Sequence, residues 1–252
     1  MTIALEVCVA SLRDAAVSAS AGAARVELNS ALELGGLTPS PALVELVVET
    51  AQSLRCEVIA MLRPRPGGFD YDEHDLRVMQ RNIALLLQLG VDGVAFGVLH
   101  RGGTIHAQAC RELIAPVHNA GRQAVFHRAF DLTPDPFVAI DTLIQLGFQR
   151  VLTSGQQPTA PEGAGLIGEL IQHADRRIEV LPGSGIRPDN VTQLVKQTGC
   201  TQVHASLSTE IPDGSGSANP VLRFDATPAR GMNYRATDGR QVEAMVAALK
   251  GI

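Results

Sequence analysis

The sequence predicts a single (β/α)8 TIM barrel spanning residues 1–252. Eight short β-branched runs alternate strictly with segments whose apolar residues recur at helical spacing, which implies a parallel sheet. The spacing Gly-x-x-x-Val recurs at Gly22/Val26, Gly90/Val94, Gly147/Val151 and Gly199/Val203. Each Gly closes a helical segment as a left-handed cap would, and each Val falls in the strand that follows. All four mark even-numbered strands, so the unit is strand-helix-strand-helix and four units give the eight strands of a closed barrel. No linker divides the chain. A doubly wound open sheet is the alternative.

The elements follow in order. Leu5–Val9 is the first run, and Ser11 followed by Asp14 marks a capped helix start behind it. Arg25–Asn29 is the second, with Pro39 placed where a first-turn proline belongs. Glu57–Arg63 leads into a helix bearing Leu76, Met79, Ile83, Leu86 and Leu87 on one stripe. Gly93–Gly97 and Gln123–Phe126 come next, and Pro136 opens the helix after them. Arg150–Thr153, Glu179–Leu181 and Gln202–His204 complete the set, with Pro188 opening the helix after the seventh run. Ile211–Asn219 reads as a long loop before the last helix.

Composition removes several function classes. A net charge of −5 argues against a nucleic-acid partner or an anionic membrane surface. No apolar run is long enough to span a bilayer, and the first residues lack the basic start of a signal peptide. The four cysteines are scattered without a C-x-x-C, which fits reduced thiols in a cytoplasmic protein. Aromatic residues are 4% with no Trp, which disfavours sugar or base stacking. Only Lys196 and Lys250 are lysines, and neither is at a strand end, so Schiff-base chemistry has no candidate.

In a barrel of this kind the chemistry sits at the carboxyl ends of the strands. Those ends carry Glu6 and Cys8, Glu27 and Asn29, Arg63, then His127, Arg128 and Asp131. Glu6/Cys8 and Glu27/Asn29 each share a face by period two, on adjacent strands. The two carboxylates, set beside Arg63 and Arg128, would satisfy one another. One reading is a structural ion network. The other is a polar pocket in which Glu27 or His127 moves a proton, with Glu6 and Asp131 as further acid/base groups, and Arg63 binds an anion.

The late strand ends are small and Gly-containing: Ser154, Gly183-Ser184-Gly185 and Ser206. With Arg128 they form a candidate site for a phosphate or carboxylate, held by backbone N–H groups and a helix start. That pattern supports an acid/base enzyme of lyase or isomerase type acting on a small anionic molecule. For metal, Cys8 is the candidate ligand and Met61 the nearest other soft atom at a strand end. His127 and His204, on the fifth and eighth strands, are expected on opposite sides of the barrel, too far apart to share an ion.

At these motifs the chain resembles the CutC family, named for copper homeostasis. The matching stretches are Leu5-Glu6-Val7-Cys8-Val9, Arg25-Val26-Glu27-Leu28, Ser30-Ala31-Leu32 and Gly35-Gly36-Leu37-Thr38-Pro39-Ser40. They continue through Arg63-Pro64-Arg65, Asp92-Gly93-Val94, Phe96-Gly97-Val98-Leu99 and Phe126-His127-Arg128-Ala129-Phe130-Asp131. Arg150-Val151-Leu152-Thr153-Ser154-Gly155-Gln156 and His204-Ala205-Ser206 close the match, which spans about residues 5–206. The resemblance implies a cytoplasmic barrel, a homodimer or larger homo-oligomer, with a role in copper binding or tolerance and copper as its metal. Cys8 keeps the family's thiol. The position after Glu27-Leu28, commonly Cys in the family, is Asn29, and Ser184 stands where Gly is usual.

Overall fold

A computed structural model of the chain describes residues 3–219, 221–222 and 232–252. Its elements run β1 (Ala4–Val9), α1 (Leu12–Ser20), β2 (Arg25–Leu28), α2 (Pro41–Ser53), β3 (Glu57–Met61), α3 (Glu73–Gln88), β4 (Gly93–Phe96) and α4 (Ala107–Asn119). Then come β5 (Gln123–Phe126), α5 (Pro136–Leu146), β6 (Arg150–Thr153), α6 (Ala164–Ala174), β7 (Glu179–Pro182), α7 (Val191–Thr198), β8 (Gln202–Ala205), β9 (Ser208–Ile211), β10 (Tyr234–Thr237) and α8 (Gly239–Lys250). The eight-stranded parallel sheet has the order β7-β6-β5-β4-β3-β2-β1-β8, and a parallel bridge from Gly183 to His204 closes it. This is the predicted TIM barrel.

The local signals act largely as their chemistry requires. Ser11 caps α1 by accepting from the Asp14 amide at 3.1 Å, and Pro136 is the first residue of α5. The repeat glycines all hold positive φ, between 71° and 97°. Two proline expectations are corrected. Ser40 caps α2 and Pro41 is its first residue, so Pro39 lies outside the helix, and α7 begins at Val191, beyond Pro188. The segment read as a loop from Ile211 is entered by β9, whose antiparallel partner is β10, forming a small sheet over the barrel's end.

Period two divides every barrel strand. Val7, Val26, Val58, Val94, Phe126, Val151, Val180 and Val203 face outward into the main core beneath the helices. The inward residues are unlike on the two sides. Ile59, Met61, Ala95 and Val125 make a separate apolar cluster on the β3–β5 side. Met61 is thereby committed to packing, which corrects its expectation as a soft ligand.

The amino end of the interior is plugged by a ring of polar side chains. Arg25 Nη2 donates to Gln202 Oε1 at 2.8 Å, and Gln202 Nε2 donates to Glu179 Oε2 at 2.9 Å. Arg150 continues the ring through Glu179 at 3.2 Å and Gln123 at 2.8 Å. Gln123 Nε2 reaches Glu57 at 3.4 Å, and Glu57 pairs with Arg25 at 3.6 Å. Each charge is matched inside the ring, which is what permits it below a barrel core.

Candidate functional site

Above this ring the site is built on the seam β8-β1-β2. The register pairs Glu6 with His204 on one side and with Arg25 on the other, and pairs Cys8 with Glu27. Inward-facing side chains at these positions therefore converge. One sulfur or nitrogen or oxygen atom from each of Cys8, Glu27 and His204 lies within 4.8 Å of the other two.

His204 is held from behind. Its Nδ1 is 2.7 Å from Glu6 Oε1, while Glu6 Oε2 accepts from Arg25 Nε. Burial alone would raise the Glu6 carboxyl, but Arg25 and the bond to His204 outweigh it and hold it well below the usual carboxylate range. For His204, burial opposes a charge, yet contacts with Cys8 and Glu6 and the nearby Glu27 carboxyl carry its pKa well above the ordinary value. With Nδ1 bonded to Glu6, Nε2 is the atom left for Cys8 and Glu27.

Asn29 completes the cluster. Its Nδ2 donates to Glu27 Oε2 at 3.0 Å and approaches Cys8 Sγ at 3.5 Å. The Cys8 thiol in turn points at Glu27 Oε2, 3.7 Å away. Burial pushes both the Cys8 thiol and the Glu27 carboxyl up; the Glu27 charge raises the thiol further, whereas the hydrogen bonds from Asn29 and Cys8 partly offset the rise at Glu27.

The other sequence candidates take different places. The two carboxylates were expected beside Arg63 and Arg128; their partners are Arg25, His204 and Asn29 instead. Arg63 Nη1 donates to the carbonyls of Leu34, Gly35 and Gly36, and Nη2 to that of Gly67. It clamps two loops through both Nη atoms, and its buried Nε is the donor left without a partner. Asp131 receives the Thr153 hydroxyl, the Ser154 and Gln156 amides and Arg128 Nε, so it anchors the loop after β6 rather than facing Glu27. His127 Nδ1 accepts from the Ala129 amide at 3.2 Å and its ring lies 4.7 Å from Phe69. Burial, helped by Arg63, pushes it down to about 3, so the ring is neutral at ordinary pH, with Nε2 buried and without a partner. The histidine beside Glu27 is His204.

The small-residue candidates also divide. A cavity of about 390 Å3 is lined by Arg128, Ser184, Gly185 and Ser206, with Cys8 and His204 in its wall. Ser154 is instead bonded to Asp131 and to the Gln157 carbonyl. Gly183 faces inward, where a Cβ would meet Leu152 at 2.6 Å.

Comparison with known proteins places the chain in a family. The CutC family profile matches residues 3–209. The chain belongs to the CutC family. A CutC family protein of Treponema denticola is 45% identical over 222 residues, covering 88% of each chain. Copper homeostasis protein cutC homologs of mouse and human are each 37% identical over 249 residues, 98% of this chain and 90% and 89% of those proteins. The crystal structure of CutC from Streptococcus agalactiae superposes with a TM-score of 0.77 at 33% identity, over 81% of this chain and 98% of that one. A 3-hexulose-6-phosphate synthase from Salmonella typhimurium, at 16% identity and TM-score 0.60, shares the barrel alone. Relatives in this family carry the name copper homeostasis protein, and Cys8, Glu27 and His204 all lie inside the matched region. No helix among the described residues is long and apolar enough to cross a membrane.

Proposed function

We propose that this CutC chain binds copper at the carboxyl end of the barrel, through Cys8, His204 and Glu27. The observation that carries the reading is the convergence of their ligand atoms within 4.8 Å. A thiolate and an imidazole suit Cu(I), and a neighbouring carboxylate adds charge compensation. Glu6 behind Nδ1 of His204 supplies the outer support that metal-bound histidines ordinarily have, fixing the ring so that Nε2 is presented. The donor set fits the metal. All four cysteines are free, as a reducing cytoplasmic setting would keep them, and there Cu(I) is the form the site would meet.

The protein's own contribution is positional. Arg25 and Gln202 fix Glu6, Glu6 fixes His204, and Asn29 fixes the Glu27 carboxylate beside the thiol. Binding displaces the protons that burial keeps on Cys8 and that the carboxylates keep on His204. Competition for Cu(I) against a chromophoric chelator under reducing conditions tests the reading. Cys8→Ser and His204→Phe should each weaken binding at least tenfold; affinity equal to that of the unaltered chain in both variants would remove the site.

A further inference from the structure

Next to the metal cluster, on the far side of Cys8 and His204, lies the cavity of about 390 Å3 between the loops that follow β7 and β8. Three arginines reach it from three separate elements: Arg128 after β5, Arg187 after β7 and Arg235 on β10. Among the described residues no carboxylate lines it. Arg128 and Arg187 pair with Asp131 and Asp189 outside the cavity, yet no acid among its lining faces them, which leaves a local excess of donors in a chain of net charge −5.

Each arginine is tethered at one edge and keeps donors in reserve. Arg128 uses Nε on Asp131 and Nη2 on Ser154, and Arg235 uses Nε and Nη2 on Ser208. Arg187 uses Nε on Asp189. The Nη1 atoms of Arg128 and Arg235, and both Nη atoms of Arg187, donate to no protein acceptor among the described residues. Nor do the backbone N–H groups of Gly185, Ile186, Ser206 and Leu207, on the two loops that face each other across the cavity. A ligand with several acceptor oxygens would meet oriented donors from both loops and from the arginines together.

We infer that this cavity is a binding site for a small phosphate monoester. The tetrahedral dianion offers enough acceptors for guanidinium and backbone donors at once, which a monocarboxylate does not. The volume exceeds that of the phosphate, and the cavity shares Cys8, Ser206, Ser208 and Arg235 with a neighbouring one of about 510 Å3. The rest of the molecule would extend past Cys8 into that second space, whose wall includes Leu32, Asn233 and Tyr234. The site goes beyond the copper reading and stands without it, since its donors are not the metal ligands.

Calorimetric titration of the full chain with inorganic phosphate, at ionic strength fixed with chloride, tests the inference. Saturable single-site binding is expected. Arg187→Ala, at a largely exposed position, should weaken it at least tenfold, and Arg187→Ala with Arg235→Ala further still. Both variants should keep the Cu(I) affinity of the unaltered chain within twofold and the same thermal midpoint. Arg187→Ala alone suffices if loss of the Arg235 tether to Ser208 unsettles β9. Heats that fail to saturate, or that saturate equally in the arginine variants, overturn the site. Cys8→Ser should lose copper but keep phosphate, so failure of one reading leaves the other measurable.

Discussion

His204 Nδ1 lies 2.7 Å from Glu6 Oε1, at the seam where the last barrel strand meets the first. These residues are 198 positions apart in the chain. Only closure of the barrel makes them neighbours, so the orientation of the imidazole is a property of the whole fold. Glu6 also joins two levels of the interior, since its other oxygen receives Arg25 of the polar ring beneath.

Glu6→Gln is therefore expected to act on both stability and metal. It keeps the shape and an acceptor for His204, but removes the charge that offsets Arg25 and His204 inside the barrel. Removing one member of a buried ion pair costs about 3–5 kcal/mol, to be read as a lower urea midpoint. Loss of the outer support of the histidine should weaken Cu(I) binding at least tenfold. An unchanged urea midpoint would mean that the pair contributes nothing net.

Copper affinity should rise with pH. Both Cys8 and His204 have raised pKa values, so each holds a proton that the metal must displace. With both values raised, both groups are protonated in the metal-free chain at and below neutral pH, so lowering the pH weakens binding steadily, with about two protons released per ion. The measurement is chelator competition at several pH values, with proton release read in buffers of different ionisation enthalpy. A flat profile would exclude these two groups as ligands.

His127 should make the fold sensitive to acid. Its folded pKa of about 3 is depressed from the ordinary imidazole value, so its stabilisation is complete above about pH 6.5 and is lost as pH falls toward 3. Across that window one proton binds preferentially to the unfolded chain, a slope of about 1.4 kcal/mol per pH unit. Glu6, depressed as well, adds its own loss below about pH 4.3. His127→Asn keeps an acceptor for the Ala129 amide and removes the imidazole proton. Denaturant stability of the variant should fall less steeply between pH 6.5 and pH 4.5 than that of the unaltered chain.

Much of this was legible in the chain. Alternation and the Gly-x-x-x-Val repeat specify the barrel, because strand period and helix caps are local properties. The pairing of Cys8 with Glu27 follows too, since β1 and β2 are consecutive and period two sets their faces. His204 as their third member was not read. Strand count sets β5 three strands away from β8, but closure also makes β8 adjacent to β1, and that step brings His204 to Glu6. The destinations of long side chains were the least legible. Arg63 stands at a strand end as an anion binder would, yet carbonyls of two loops, invisible as acceptors in a sequence, take its donors. Arg235 belongs to β10, a short strand beyond the Ile211–Asn219 loop that was not read from the sequence.

Arg63→Met should separate the clamp from the anion site. The variant loses four charge-assisted bonds to carbonyls of Leu34, Gly35, Gly36 and Gly67. Buried acceptors left without donors cost about 1–3 kcal/mol each where water cannot replace them. Hydrogen exchange should quicken in the loops after β2 and β3, while phosphate affinity stays within twofold. Phosphate binding abolished with exchange unchanged would restore Arg63 as the anion binder.

Asn29→Cys offers the sharpest test of the metal reading. Asn29 Nδ2 already lies 3.5 Å from Cys8 Sγ, so a thiol on the same backbone position falls beside the first one. The side chain becomes smaller, so Gly36, which fits beside Asn29 Oδ1 only because it has no Cβ, gains no clash. The cost is the amide's bond to Glu27, about 1–3 kcal/mol for a buried hydrogen bond to a charged group. Against that, a second thiolate replaces a donor that Cu(I) hardly uses, so affinity should rise by at least a factor of ten. Chelator competition should show the gain for Cu(I), with the metal-free chain destabilised by no more than that cost. If the added thiol leaves Cu(I) affinity unmoved, the metal does not sit between β1 and β2, and the Cys8–Glu27–His204 cluster serves the neighbouring cavity instead.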